Sequence, residues 1–340
     1  MEVTLIPRSY LFVPGDRPDR FDKALATGAD IVVLDLEDAV LPESKARARE
    51  AVRNWLRMGG RSAVRINGIG MEWHEEDVVL LATPGVAAAL LPKAEEPAAL
   101  DAFVSALPQG LPIVPLIESA LGIWNARELA SVKGVTRLAF GSIDFQLDTG
   151  IEAEGEALLY ARSRLVLAST IARIAPPVDG VTIALDDEER LRADIAAARA
   201  LGFGGKLCVH PRQLAAVHKG FAPDEATLAW AQAVVEAART SDAGAVRVNG
   251  KLVDRPVVER AKRILEDGGQ VPQTPDCGGL LDRSRPIRGP ASRRRHDQRA
   301  SLETPQTCPG NGGHPSWLWL SKTWASPAPS RPRAKGSVPR

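Results

Sequence analysis

Short apolar runs recur along the chain, and several of them stop on a polar residue. SYLFVP breaks at Pro14-Gly15, IVVLD ends on Asp35, SAVRIN carries Arg65, IVPLIES reaches Glu118 and RLAFGSID reaches Asp144. VAAALLPK, VDGVTIA and KLCVHP are runs of the same kind and bring the number to eight. Runs such as IVVLD are apolar on both faces, as a parallel strand buried under helices must be. The stretches between them follow a helical period. Phe21, Leu25 and Gly28 share one face; so do Val52, Trp55 and Leu56, then Leu100, Phe103, Val104 and Leu107, then Ile123, Ala126 and Leu129. A long helix is predicted over ALLYARSRLVLASTIARI. Another should open at Asp186 in capping-box spacing with Glu189 and close at Gly202. Eight strand-then-helix units predict an α/β fold, a (β/α)8 TIM barrel over residues 1–240, with its active site on the face where the strands end.

Residues 241–267 leave the repeat. A short hairpin around Asn249-Gly250 and an amphipathic helix from about Pro256 read as a C-terminal arm. From residue 268 to 340 the periodicity disappears. This tail holds eleven of the 26 prolines and an Arg-Arg-Arg run, and reads as disordered.

Charge follows the same division. The net charge of +1 hides a tail at +8 and a body of 267 residues at −7. A mildly acidic body speaks against a nucleic-acid partner. No run approaches the roughly 18 apolar residues of a membrane span, and the start lacks the basic and apolar regions of a secretory signal. Three cysteines without metal-ligand spacing fit a reducing compartment, so a cytoplasmic protein is expected.

Glu118 and Asp144, predicted to end neighbouring strands, can point into one cavity. Two carboxylates with room left for water and substrate oxygens make a hard-cation site, most simply for Mg²⁺. The plainer alternative is that each caps the next helix. Arg65 ends a third strand; it either binds a ligand anion or pairs with Asp35 or Glu37. Asp35, Glu37 and Asp38 cannot all be metal ligands, and one or two should act through water or hold Arg65. Arg8, Pro14 and Gly15 are placed around the first strand end, where glycine admits close approach of a ligand. His210-Pro211 closes the eighth strand, with a structural and a binding role both open for His210. Lys93 ends the fourth strand but lacks the desolvating pocket of a Schiff-base lysine. By pattern alone, Asp254 is a surface acid.

Together, RSYLFVPGDRPDRFDKALATGADIVVLDLEDAV, VRING, LIESALGIWNA, FGSIDF and NGKLVDRPVVERA resemble the citrate lyase beta subunit family within the HpcH/HpaI aldolase group. The resemblance spans about Arg8 to Leu265. It implies a Mg²⁺-dependent carbon–carbon lyase that cleaves or condenses a 3-hydroxyacyl-CoA thioester such as malyl-, citramalyl- or citryl-CoA. An acyl-carrier-protein substrate or a thioesterase activity are the alternatives. By the same likeness Glu118 and Asp144 are metal ligands and Arg65 binds substrate, while Arg8, Pro14, Gly15, His210 and Pro211 fall in thioester-lining regions. Asp254 then becomes the proton carrier, supplied by the arm of a neighbouring subunit in a homotrimer or hexamer, with Asp35 the weaker candidate.

Overall fold

The computed structural model describes residues 6–240, 246–248 and 251–269. Among these, eight parallel strands close a barrel in sequential order: β1 (Ser9–Pro14), β2 (Ile31–Asp35), β3 (Ser62–Arg65), β4 (Val86–Leu91), β5 (Ile113–Ile117), β6 (Arg137–Phe140), β7 (Ala175–Asp179) and β8 (Gly205–Cys208). Helices α1 (Phe21–Leu25), α2 (Lys45–Arg57), α3 (His74–Leu80), α4 (Pro97–Ser105), α5 (Ala120–Trp124), α6 (Ala126–Ala130), α7 (Ser142–Thr149), α8 (Leu159–Ala172), α9 (Glu188–Leu201) and α10 (Leu214–Phe221) occupy the connections. This is the expected (β/α)8 barrel.

The alternation of side chains along each strand builds two cores. Tyr10, Val33, Ala63, Leu90, Leu116, Ala139, Val178 and Leu207 point inward and fill the barrel. Their neighbours Leu11, Leu34, Val64, Leu138 and Cys208 point outward against the helices. The period of two has a consequence for the site. Asp35 and Arg65 lie two residues beyond inward Val33 and Ala63, and Glu118 two beyond inward Leu116, so all three reach the inner mouth of the barrel.

Several local expectations shift. Strand β7 is Ala175–Asp179 rather than VDGVTIA, because Pro176 and Pro177 need only supply acceptors. Pro176 O takes an N–H from Arg137 Nε at 2.5 Å and Pro177 O takes one from Gly204 at 3.0 Å. Asp187, not Asp186, caps α9 by accepting from Arg190 N at 2.9 Å. Helix α1 is one turn long, burying Phe21 and Ala24 and leaving Leu25 exposed. The predicted helix through Ile123 and Leu129 is two short ones, α5 and α6. Helices α3 and α10 fill connections for which the sequence marks no particular helical face, and α7 begins where the sixth run is expected to continue as strand.

Helix α11 (Glu225–Arg239), an antiparallel hairpin of β9 (Val246–Val248) and β10 (Lys251–Val253), and α12 (Arg255–Asp267) follow the barrel. Ala231 and Val234 of α11 pack on Val253, Ala261 and Leu265, forming a cluster separate from the barrel cores. The hairpin tip at Asn249-Gly250, and the tail from residue 270 with Cys277 and Cys308, lie outside the described residues. No described helix is long and apolar enough to cross a membrane.

Candidate active site

Strands β2 and β3 carry Asp35 and Arg65 as direct register partners. Arg65 Nε and Nη2 donate to the two Asp35 oxygens at 2.7 and 2.6 Å, a forked pair buried at the barrel mouth. Arg65 Nη1 also lies 2.9 Å from Glu37 Oε2 and 3.5 Å from Asp38 Oδ2, while its guanidinium carbon sits 5.0 Å from the Phe12 ring centroid. Burial opposes the charge, but these acids outweigh it and hold the guanidinium above its ordinary value. Among the described residues the second N–H of Nη2 has no hydrogen-bond partner. The DLED segment therefore holds Arg65, as one of the two open readings anticipated. Asp35 itself is saturated, for it also accepts from Glu37 N at 2.9 Å and Ala39 N at 3.2 Å. It orients Arg65 and has no lone pair aimed at a ligand as a proton carrier needs.

Glu118 follows β5 and is buried. Its Oε1 accepts from Lys93 N at 2.7 Å, and its other oxygen lies over Gly141, where an added Cβ would fall 2.2 Å from it. Burial first, then the charges of Glu37 and Asp144, push its carboxyl up to about 8. Glu37 is raised to about 7, chiefly by burial, with Arg65 pulling the other way. Asp144 does not end β6; it sits in the first turn of α7 and reaches the same cavity from there. That cavity holds about 120 Å³ and is lined by Arg65, Glu118, Asp144, Gly141, Phe12 and Leu207, among others.

Does this donor set suit a cation? Two oxygen donors, one of them a buried carboxylate whose charge is poorly compensated, suit a hard divalent ion and offer nothing to a soft one. Among the described residues no three His, Cys, Asp or Glu side chains converge on one point, so such an ion keeps water or substrate oxygens.

The remaining expected residues fall elsewhere. Arg8 precedes β1 and so lies at the opposite end of the barrel, roughly 20 Å of strand from the mouth. There its Nη2 donates to Asp267 O at 2.8 Å and Oδ1 at 3.2 Å, so Arg8 ties down the end of α12 and contacts no ligand at the site. A residue that precedes a strand stands at its amino end, which is why Arg8 is not at the mouth. Pro14 and Gly15 do sit at the mouth; Gly15 N donates to Asp35 O at 2.7 Å, and a Cβ there would meet that oxygen at 2.8 Å. His210 uses Nδ1 to accept from Arg212 N at 3.1 Å, capping the short turn Pro211–Gln213. Asp254 caps α12, accepting from Val257 N at 3.3 Å; it is exposed and does not line its own chain's cavity.

Two groups were undervalued. Glu37 was grouped with its acidic neighbours, and Lys93 was weighed only as a Schiff-base nucleophile. Lys93 Nζ lies 3.2 Å from Glu37 Oε1; burial works against its charge, yet Glu37, with Asp38 and Glu118 behind it, outweighs burial and the ammonium stays above the ordinary lysine value. A protonated lysine is no carbonyl nucleophile. The signal for its involvement was a lysine placed directly after a buried apolar strand.

A closed barrel with an arginine and two acids around one cavity at the carboxyl ends of its strands has the architecture of a metal-assisted barrel enzyme. The family profile "HpcH/HpaI aldolase/citrate lyase" matches residues 8–211, and the chain belongs to that family. A "citrate lyase subunit beta-like protein" of Deinococcus radiodurans is 38% identical over 274 residues, 76% of this chain and 96% of the relative. A "(3S)-malyl-CoA thioesterase" of Cereibacter sphaeroides is 34% identical over 266 residues, 76% of this chain and 93% of its own. Among solved structures, Mycobacterium tuberculosis CitE in complex with magnesium, acetoacetate and coenzyme A superposes with a TM-score of 0.69 at 32% identity. It covers 79% of this chain and 100% of that one.

Proposed function

We propose that this protein is a Mg²⁺-dependent carbon–carbon lyase that cleaves, or in reverse condenses, a 3-hydroxyacyl-CoA thioester. The observation carrying the proposal is the shared cavity of Glu118, Asp144 and Arg65. Magnesium in the related structures supports the choice of ion; Glu118 and Asp144 of this chain would be its protein ligands. Bound there, a divalent ion would act as a Lewis acid toward substrate oxygens. About 120 Å³ accommodates the reacting acyl part but not a nucleotide, so the thioester arm must leave through the mouth of the barrel.

Cleavage passes the 3-hydroxyl proton to a carboxylate carrier, breaks the bond between C2 and C3, and leaves an oxo acid and a thioester enolate. Arg65, fixed by Asp35, offers its free N–H to the oxygen on which negative charge gathers; losing such a donor costs about 3–4 kcal/mol in the barrier. The enolate carbon then needs a proton. Asp254 of a neighbouring copy is the donor in this reading, since it is exposed and absent from its own chain's cavity. The arm of residues 241–267 then serves another subunit, and the working form is a homo-oligomer, a trimer or hexamer, in the cytoplasm.

Purified protein is incubated with malyl-, citramalyl- and citryl-CoA and Mg²⁺, and products are read by mass spectrometry. An oxo acid with a shorter acyl-CoA supports the proposal; full activity in EDTA refutes it. A thioesterase is the second reading, favoured by the name of the Cereibacter sphaeroides relative. It gives free coenzyme A and the intact hydroxy acid instead. The citrate lyase beta subunit of Leuconostoc mesenteroides, 34% identical, keeps an acyl-carrier-protein substrate in view, and turnover of a free CoA thioester excludes it.

A further inference from the structure

Lys93 stands between β4 and α4 with φ of +50°; among the described residues only Arg173 shares a positive φ without being glycine. Arg173 ends α8, an ordinary place for a left-handed residue. Lys93 ends no helix, and a glycine would hold this turn without strain. The turn is held from both sides. Ala94 N donates to Leu116 O at 3.1 Å and Asn125 Nδ2 to Glu95 O at 2.9 Å, so the backbone is pinned beside Glu118. Strain kept at a mouth lined by reactive groups calls for a reason in what the residue does there.

Lys93 touches both buried glutamates. Its N–H meets Glu118 Oε1 at 2.7 Å, and its Nζ meets Glu37 Oε1 at 3.2 Å, while the other Glu37 oxygen faces Arg65 Nη1 at 2.9 Å. We propose that Lys93 is a positioning residue of this site: its left-handed turn lets one residue present its amide to Glu118 and its side chain to Glu37, and its ammonium holds Glu37 against Arg65. A glycine could keep the turn and the amide contact but not the second task. The inference deepens the lyase reading and rests on it for its kinetic consequence.

The two tasks separate by substitution. Lys93→Gly keeps the amide and relieves the backbone; Lys93→Met keeps the stem without the charge; Lys93→Arg keeps a cation. For Lys93→Gly the expected results are an unchanged or higher Tm, Mg²⁺ affinity by calorimetry no weaker than wild type, and kcat on (3S)-malyl-CoA down at least about 30-fold with KM within about threefold. Lys93→Met should match that loss, and Lys93→Arg should regain most of the rate. Wild-type kcat in Lys93→Gly, equal rates for the Met and Arg variants, or Mg²⁺ binding lost in Lys93→Gly each overturns the proposal. Should the wild-type chain turn over no thioester, the lyase reading fails by itself. The calorimetric arm, which uses Mg²⁺ alone, still decides whether the Lys93 amide suffices for Glu118.

Discussion

Asp35 and Arg65 face each other as register partners across β2 and β3, so the forked ion pair at the barrel mouth is a product of strand pairing. Neither side chain has to search for the other. Removing Asp35 leaves a buried guanidinium with only Glu37 and the exposed Asp38 beside it, and breaking a buried pair this way costs about 3–5 kcal/mol. Asp35→Ala should therefore lower the unfolding free energy by about that much in denaturant titration. Arg65→Lys cannot reproduce the fork, and is expected to lose kcat by at least about 100-fold with smaller loss of stability.

Glu118→Gln and Asp144→Asn should each abolish the heat of Mg²⁺ binding in calorimetry while the far-ultraviolet circular dichroism stays unchanged. Gly141→Ala is the subtler test. Its φ of −86° suits alanine, yet the new methyl would lie 2.5 Å from Glu118 Cβ and closer still to its carboxylate. The fold should survive, and the displaced carboxylate should weaken Mg²⁺ binding by about 10–100-fold.

Acid should compete with the ion. The metal-free Glu118 carboxyl is raised from 4.5 to about 8, so between those values the folded chain holds a proton that the unfolded chain has released. Stability contributed by this group is present below the lower value and lost as pH rises toward the upper one. Mg²⁺ needs the carboxylate, so apparent affinity should fall roughly tenfold per pH unit below about 8, with proton release seen in buffers of different ionisation heat. Affinity independent of pH through this window would contradict the assignment of Glu118.

If Asp254 serves a neighbouring copy, Glu118→Ala and Asp254→Ala chains should be inactive alone and regain activity when refolded together, since mixed assemblies contain sites with both residues intact. No recovery from mixtures shown to exchange subunits would put the proton carrier elsewhere. Helix α12 is about 20 Å long, with Asp267 held by Arg8 at the far end of the barrel, so Asp254 is displayed at its other end.

The barrel was readable because burial on both faces forces long apolar runs in every strand, and because each run announced its own end. Glu118 and Arg65 were readable for the same reason: a charge two residues past an inward apolar position must emerge at the inner mouth. Asp144 lines the cavity from the first turn of α7 and not from the end of β6, since a glycine and a serine after β6 can equally prolong a strand or open a helix. Arg8 shows the limit more sharply. It stands six residues from Pro14 in the chain, yet those residues form β1, which carries it to the other end of the barrel.

What the amino-acid order determined by itself is the eightfold alternation, the end of the barrel at which polar groups gather, and which acids and arginine stand there. These follow from local periodicity and from the cost of burying charge. Tertiary structure alone decided which acid is spent on holding Arg65, that Lys93 links Glu37 to Glu118, and that Gly141 leaves space for a carboxylate. Those facts depend on which strands become neighbours and in what register, and a contact between residues dozens of positions apart has no local signature.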